Sequence, residues 1–246
     1  MNGWADQVAA VTGSRGAIGA AIVAELAALG ARVEGGDVAG ADDVPPLDVT
    51  DPASIESWLD RIEANLGPLT IGVICAGISR AGRLVEIGDD DWNDVIAVNL
   101  TGAFYTARAM IRRMLAGKSG GRVVFVGSWA AHAPHPHIGA YSAAKAGLRA
   151  LCRTLALDHA ADGVLVNEVA PGIVDAGLSR ELFRRDAELE ERTRAAIPTG
   201  RVLDPADVAR DVAFLASPQN RHTTGACLIS DGGLSLASGM NPGTRG

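Results

Sequence analysis

The sequence lacks the features that would send it to a membrane or divide it. Near the amino terminus there is no basic stretch followed by an apolar one, so no secretory leader is expected. Runs such as residues 8–11 and 123–126 fall far short of the ~20 apolar residues that cross a bilayer, and no membrane segment is expected. No proline-rich or low-complexity tract offers a linker, and no internal repeat is present, so the expectation is one domain over residues 1–246. Cysteine is scarce: Cys75, Cys152 and Cys227 are odd in number and widely scattered, which suits reduced thiols in a cytoplasmic protein rather than a disulfide framework or a metal cluster. Positive charge is short as well. With 22 Lys and Arg against 29 Asp and Glu, the net charge of -7 opposes binding to nucleic acid or to an anionic membrane surface. A small-molecule ligand fits better.

What is present is a globular composition, 48% hydrophobic and 21% charged, sufficient to bury a large core. Short apolar runs alternate with longer helical patterns, the signature of parallel strands joined by crossover helices. Strands are expected at residues 8–11, 32–34, 44–48, 71–75, 122–127, 164–169 and 226–229, about seven in all. An alanine-rich helix over residues 18–29 should close on Gly30. Asp51-Pro52 and Asp204-Pro205 each pair a capping carboxylate with a proline at the first helical turn, where a missing N–H costs nothing. Long helices are expected over residues 91–115 and 140–159. The fold class is therefore α/β, a doubly wound parallel sheet with helices on both faces. An insertion at about residues 175–200, dense in Arg and Glu but holding Leu178, Leu182, Phe183 and Leu189 at helical spacing, reads either as a lid or as a solvated surface helix.

Thr12 leads directly into Gly13-Ser14-Arg15-Gly16-Ala17-Ile18-Gly19 between the first strand and the first helix. Glycines there let the backbone approach a pyrophosphate, and the helix amino terminus favours its charge. Position is what raises a glycine triplet from a weak signal to a dinucleotide-binding turn of Rossmann type. Asp37 follows the second strand, where a carboxylate accepts from adenosine ribose hydroxyls and repels a 2′-phosphate. That favours NAD over NADP, with Arg15 as the dissenting feature because a cation near the turn accommodates a phosphate. Asp48-Val49 offers a carboxylate to an adenine amino group, or a plain turn aspartate.

Ser128, Tyr141 and Lys145 form the strongest pattern. Residues four apart share a helix face, so the Lys145 ammonium is expected beside the Tyr141 phenol. A free phenol titrates near ~10, and a neighbouring cation favours its ionised form, as proton exchange near neutral pH requires. Ser128, at the carboxyl end of a strand, is placed to donate to a substrate oxygen.

With these residues in place, the chain resembles the short-chain dehydrogenase/reductase family in its single-domain form, from about Val8 to Gly233. The step of 13 residues from Ser128 to Tyr141 matches the family, and its helical asparagine falls on Asn99 in Val98-Asn99-Leu100. The resemblance implies that Asn99 supports a water linking Lys145 to solvent. It further implies that Pro171, Gly172 and Ile173 border the nicotinamide, and that Asp231-Gly232-Gly233 is the closing turn. It also implies a homotetramer, or a homodimer, assembled through the helices over residues 91–115 and 140–159. Three departures stand out: Ala17 where glycine is usual, Ile74-Cys75 in place of the two asparagines of the family's Asn-Asn-Ala-Gly, and Ala176 where a threonine is expected. Cys75, Ala76 and Gly77 remain cofactor-binding candidates, Ala76 and Gly77 because they let the backbone pass close to the adenosine ribose.

The loop between Ser128 and Tyr141 borders the substrate pocket in that family and here contains Trp129, His132, His135 and His137. No carboxylate or cysteine joins the histidines locally, so no metal is expected. Trp129, His135 and His137 are pocket candidates, and with Arg180, Arg184 and Arg185 they admit an anionic substrate. The leading expectation is an NAD-dependent oxidoreductase for a secondary alcohol or ketone. The alternatives are a non-catalytic dinucleotide-binding regulator or scaffold, and an epimerase or dehydratase on the same site.

Overall fold

The computed structural model describes residues 3–38, 46–118, 120–133 and 135–237. The first apolar run forms β1 (Val8–Thr12), buried along its whole length, as a central parallel strand must be. The glycine turn then leads into α1 (Ala17–Ala28) and β2 (Arg32–Gly36), with Gly30 at φ +103 in the left-handed region. Asp51 caps α2 (Pro52–Leu66) by accepting from the Ala53 N–H at 2.9 Å, and Pro52 occupies the first turn as expected. There follow β3 (Ile71–Ile74), α3 (Asp89–Ile96), α4 (Ala103–Gly117), β4 (Gly121–Val126) and α5 (Gly139–His159). The chain ends in β5 (Val164–Pro171), α6 (Gly177–Arg185), α7 (Ala187–Ala196), α8 (Pro205–Ala216), β6 (Cys227–Ser230) and the short α9 (Leu234–Ala237).

Every ladder is parallel, in the order β2-β1-β3-β4-β5-β6. The strand order reverses between β1 and β3, and the carboxyl ends of the strands around that switch are where such sheets place ligands. One apolar layer packs α2, α4 and α5 on the sheet through Trp58, Met110, Phe125 and Leu148. The opposite layer packs α1 and α8 through Ile22, Leu26, Val124 and Val212. Both faces are covered, which is why β1 and β3 read as continuous rather than alternating apolar runs.

Two expectations are corrected. The strand at residues 44–48 is not formed by its described part: residues 44 and 45 lie outside the described residues, and Pro46 makes only an isolated bridge to Asp37. A proline carries no N–H for a ladder, so the pairing stops there and the described residues contain six strands. The helix expected at residues 91–115 starts earlier and is interrupted by a π-helical turn at Ala97–Gly102, between α3 and α4. Its cause is visible in Asn99, whose buried amide donates to the Val95 carbonyl at 2.9 Å and across to the Ile78 carbonyl at 2.8 Å. A side chain entering the main-chain ladder widens the helix.

The excursion at residues 175–200 is helical, as α6 and α7. Three of its arginines are engaged close by: Arg180 with Asp175, Arg185 with Glu181, and Arg194 with Glu190. These exposed pairs describe a solvated helical surface.

Candidate active site

At the amino end of α1 the backbone approaches itself more closely than side chains allow. A Cβ on Gly19 would stand 2.1 Å from the Gly13 carbonyl oxygen, and one on Gly13, at φ +68, would stand 2.8 Å from the Cα of Ala76. Thr12 fastens this corner, its hydroxyl accepting from the N–H groups of Cys75 at 3.0 Å and Ala76 at 3.1 Å. The tip of β1 is thereby held against the residues that follow β3. Gly16, Ala17 and Ile18 lead into α1 with no side-chain cap, and the buried Ser14 hydroxyl has no partner. A bare glycine cradle, an uncapped helix start and a buried unpartnered hydroxyl fit the pyrophosphate of a dinucleotide. Asp37 closes the rim from the end of β2 by accepting from the Arg15 N–H at 3.0 Å. Burial pushes the Cys75 thiol up to about 11, so it stays neutral where the family's asparagine would carry an amide.

The other side of the cleft is built by β4, α5 and the π turn. Tyr141 and Lys145 lie one turn apart on α5, with the Lys145 Nζ 5.6 Å from the centre of the Tyr141 ring. Lys145 is only 3% exposed and donates to the Val126 carbonyl at 2.8 Å, at the end of β4. Asn99 spends both N–H groups on main-chain carbonyls and keeps its buried Oδ1 without a partner. Gly77 lies over both groups: a Cβ there would stand 2.7 Å from the Asn99 Oδ1 and 3.7 Å from the Lys145 Nζ. Ser128, buried just past β4, accepts from the Ala130 N–H at 3.2 Å. That bond takes a lone pair and leaves its O–H to donate elsewhere.

The remaining sequence candidates are distributed around this cleft. Pro171 ends β5, the Gly172 N–H donates to the Ser230 carbonyl at 2.8 Å, and the Ile173 carbonyl accepts from Leu203 at 2.9 Å. A Cβ on Gly172 would meet the Asp231 Cα at 2.7 Å, so the closing turn presses directly on this glycine. Asp48 uses one carboxylate oxygen as a turn former, accepting from the Thr50 N–H and hydroxyl at 2.8 and 2.7 Å, while Val49 is buried against Gly102. Trp129 meets His135 edge-on at 5.8 Å, and His135 and His137 are exposed. His132 turns aside to the Cys227 sulfur at 3.7 Å, and burial holds its pKa below the ordinary value. Among the described residues no group of three His, Cys, Asp or Glu side chains converges on a metal site.

Sequence reasoning missed Thr12 and the ion pair between Arg149 and Glu168. Arg149 binds the carboxylate through two bonds of 2.8 and 2.9 Å, and Glu168 is 1% exposed in the middle of β5. The signal was available: Arg149 follows Tyr141 and Lys145 at steps of four, and Glu168 interrupts an apolar strand.

Residues 11–235 match the family described as enoyl-(acyl carrier protein) reductase. The chain is 38% identical over 240 residues to the 3-oxoacyl-[acyl-carrier-protein] reductase FabG of Escherichia coli, covering 93% of this chain and 97% of that protein. It is 39% identical over 245 residues to the cis-4-hydroxycyclohexanecarboxylate dehydrogenase of Sinomonas cyclohexanicum, covering 94% and 97%. Among solved structures, the aldohexose dehydrogenase of Thermoplasma acidophilum superposes with a TM-score of 0.87 at 29% identity, over 94% of each chain. A short-chain type dehydrogenase/reductase from Mycobacterium marinum superposes with a TM-score of 0.84 at 26% identity, over 93% of this chain and 95% of that one. The fold and cleft are those of an oxidoreductase that binds a nicotinamide dinucleotide. The chain belongs to the short-chain dehydrogenase/reductase family.

Proposed function

We propose that the protein interconverts a secondary alcohol and a ketone with NAD as its cofactor. The observation that carries this reading is the buried Lys145 ammonium, anchored on Val126 beneath the Tyr141 ring and beside the unpartnered oxygen of Asn99. A buried cation is costly unless it is hydrogen-bonded or paired, and buried ionisable groups in a cleft concentrate at functional sites. When bound, the nicotinamide supplies or accepts the hydride. Gly13, Ser14, Gly16 and Gly19 would hold the dinucleotide's pyrophosphate, Asp37 and Asp48 its adenosine, and Pro171, Gly172 and Ile173 its nicotinamide. Tyr141 exchanges a proton with the substrate oxygen, and Ser128 donates a hydrogen bond to that oxygen as its charge develops. Lys145 supports the ionised phenol electrostatically, and the gap over Gly77 lets a water join it to the Asn99 Oδ1 and continue the relay.

NAD rather than NADP is supported by Asp37, whose carboxylate at the end of β2 would repel a 2′-phosphate. The relatives' names describe an oxo-group reductase and a hydroxy-acid dehydrogenase, the two directions of one conversion. Trp129, His135 and His137 border the mouth of the substrate pocket in this reading. A carboxylated cyclic or acyl secondary alcohol is the substrate class to place first. Phe104 and Leu157, exposed apolar residues on α4 and α5, support a homo-oligomer.

The test is a panel of cyclic, aliphatic and carboxylated alcohols and ketones with NAD and NADP in parallel, followed by nicotinamide absorbance. Tyr141→Phe should lower turnover by roughly 10²–10⁴-fold, the usual weight of a positioned acid or base, while NADH binding persists. Full activity in that variant overturns the assignment.

A further inference from the structure

We infer that Arg149 and Glu168 are positioning residues that hold Ser128 in register with Tyr141 and Lys145. This rests on the proposed roles of those three residues. Arg149 sits one turn beyond Lys145 and two beyond Tyr141 on α5. Its Nε and Nη2 grip the Glu168 carboxylate at 2.8 and 2.9 Å, and Nη2 also reaches the Ser128 carbonyl at 3.4 Å. Glu168 lies on β5 opposite Phe125 of β4. One guanidinium therefore ties together the helix that carries the phenol and ammonium, the strand beside β4, and the residue that carries the hydroxyl.

Four further distances show that the tie is tight. The Gly127 N–H donates to the Val169 carbonyl at 2.7 Å, extending the β4–β5 pairing up to the residue before Ser128. A Cβ on Gly127 would stand 2.0 Å from the Glu168 Oε1, so the carboxylate fills the space a side chain would need and the loop lies directly on it. The Ser128 carbonyl also accepts from the Ala131 N–H at 3.1 Å, and its hydroxyl accepts from Ala130 at 3.2 Å, so main chain and side chain are both fixed. The pair is shielded, with side chains 15% and 1% exposed. A buried ion pair is weak support for stability, because an apolar pair of similar volume often serves as well. Its planar, two-pronged geometry is instead suited to orientation.

The experiment replaces the pair with apolar residues of similar size, Arg149→Met with Glu168→Leu, which leaves no uncompensated charge in the core. NADH affinity and the melting temperature should stay near those of the parent, while kcat falls about 10- to 100-fold, the scale at which displacing a reacting group by about 1 Å acts. In a Ser128→Ala background, assayed at high enzyme concentration, the same pair of changes should lower kcat less than twofold, because the hydroxyl they position is gone. Arg149→Lys keeps the charge on Glu168 but loses the fork, and it should give an intermediate loss of kcat in a folded protein. Undiminished kcat in Arg149→Lys and in the apolar pair overturns the inference. So does an equal loss with and without Ser128, which would mark a general effect on the fold. Tyr141→Phe measured alongside separates the two levels: if it retains turnover, the reading of the whole site fails, whereas loss there with full activity in the Arg149 variants defeats the positioning role alone.

Discussion

The Oδ1 of Asn99 and the Nζ of Lys145 face the same point, 2.7 and 3.7 Å from where a Gly77 side chain would begin. Asn99 arrives there from the π turn and Lys145 from α5, and the absence of a Cβ on Gly77 keeps the space between them open. The oxygen has no protein partner, and a water in that space would satisfy it and bridge to the ammonium.

Gly77→Ala closes the space. The variant should fold, because the obstructed atoms are side-chain termini, and it should lose about tenfold or more in kcat with little change in NADH affinity, on the scale of general acid–base contributions. Steady-state kinetics with fluorescence titration of NADH checks this, and unchanged kcat would show that no relay passes the glycine.

Asp37→Ser removes the carboxylate that repels a 2′-phosphate while keeping a hydroxyl for the ribose. The ratio of kcat/KM for NADP over NAD should rise by about tenfold or more, equivalent to ~1.4 kcal/mol. Parallel assays with both cofactors give the ratio directly. A ratio that does not move would mean the preference is set elsewhere.

Asp207 anchors the start of α8. Arg201 beside it, helped by the Asp204 N–H and Arg210, holds its carboxyl at about 2, below the ordinary 3.8. An acid whose folded pKa is depressed stabilises the protein above its unfolded value. That contribution is complete above about pH 4 and is lost as the pH falls through 2. Asp207→Asn should therefore cost about 1 kcal/mol at pH 7, in the range of a lost cap and an ion pair, and the gap from the parent should close on acidification. Urea unfolding at pH 7, 4 and 3 measures it, and a constant gap would sink the account.

The thiols of Cys75, Cys152 and Cys227 are all raised by burial, to about 11, 12 and 12. Native protein at pH 8 should react slowly with an aromatic disulfide reagent, and denatured protein should react promptly with all three. Rapid native labelling of all three would contradict their neutral state.

Much of this was legible because it is local. The β1, glycine turn and α1 unit is written in consecutive residues, and the cap at Asp51-Pro52 needs only its own helix. Tyr141 and Lys145 share a helix face by spacing alone. The interruption at Asn99 was not legible in this way, since it depends on the Ile78 carbonyl, 21 residues away in sequence. Arg149 and Glu168 each left a signal, one in its helix spacing and the other as a charge within an apolar strand, but their pairing exists only once α5 and β5 are assembled. The strand expected at residues 44–48 is a different case: its apolar residues suggested a ladder, but in its described part Pro46 has no N–H to donate, and residues 44 and 45 lie outside the described residues.

Tyr141, Lys145 and Arg149 stand on three successive turns of α5, a helix whose main-chain bonds fix their spacing. Among the described residues between Ser128 and Tyr141, regular structure is limited to a 3-10 turn at Trp129–Ala131 before α5 begins at Gly139, so substitutions between those two elements can alter which molecules are admitted while leaving the reacting groups undisturbed. Divergence toward new substrates, by evolution or by directed selection, should therefore accumulate in that segment and spare the helix.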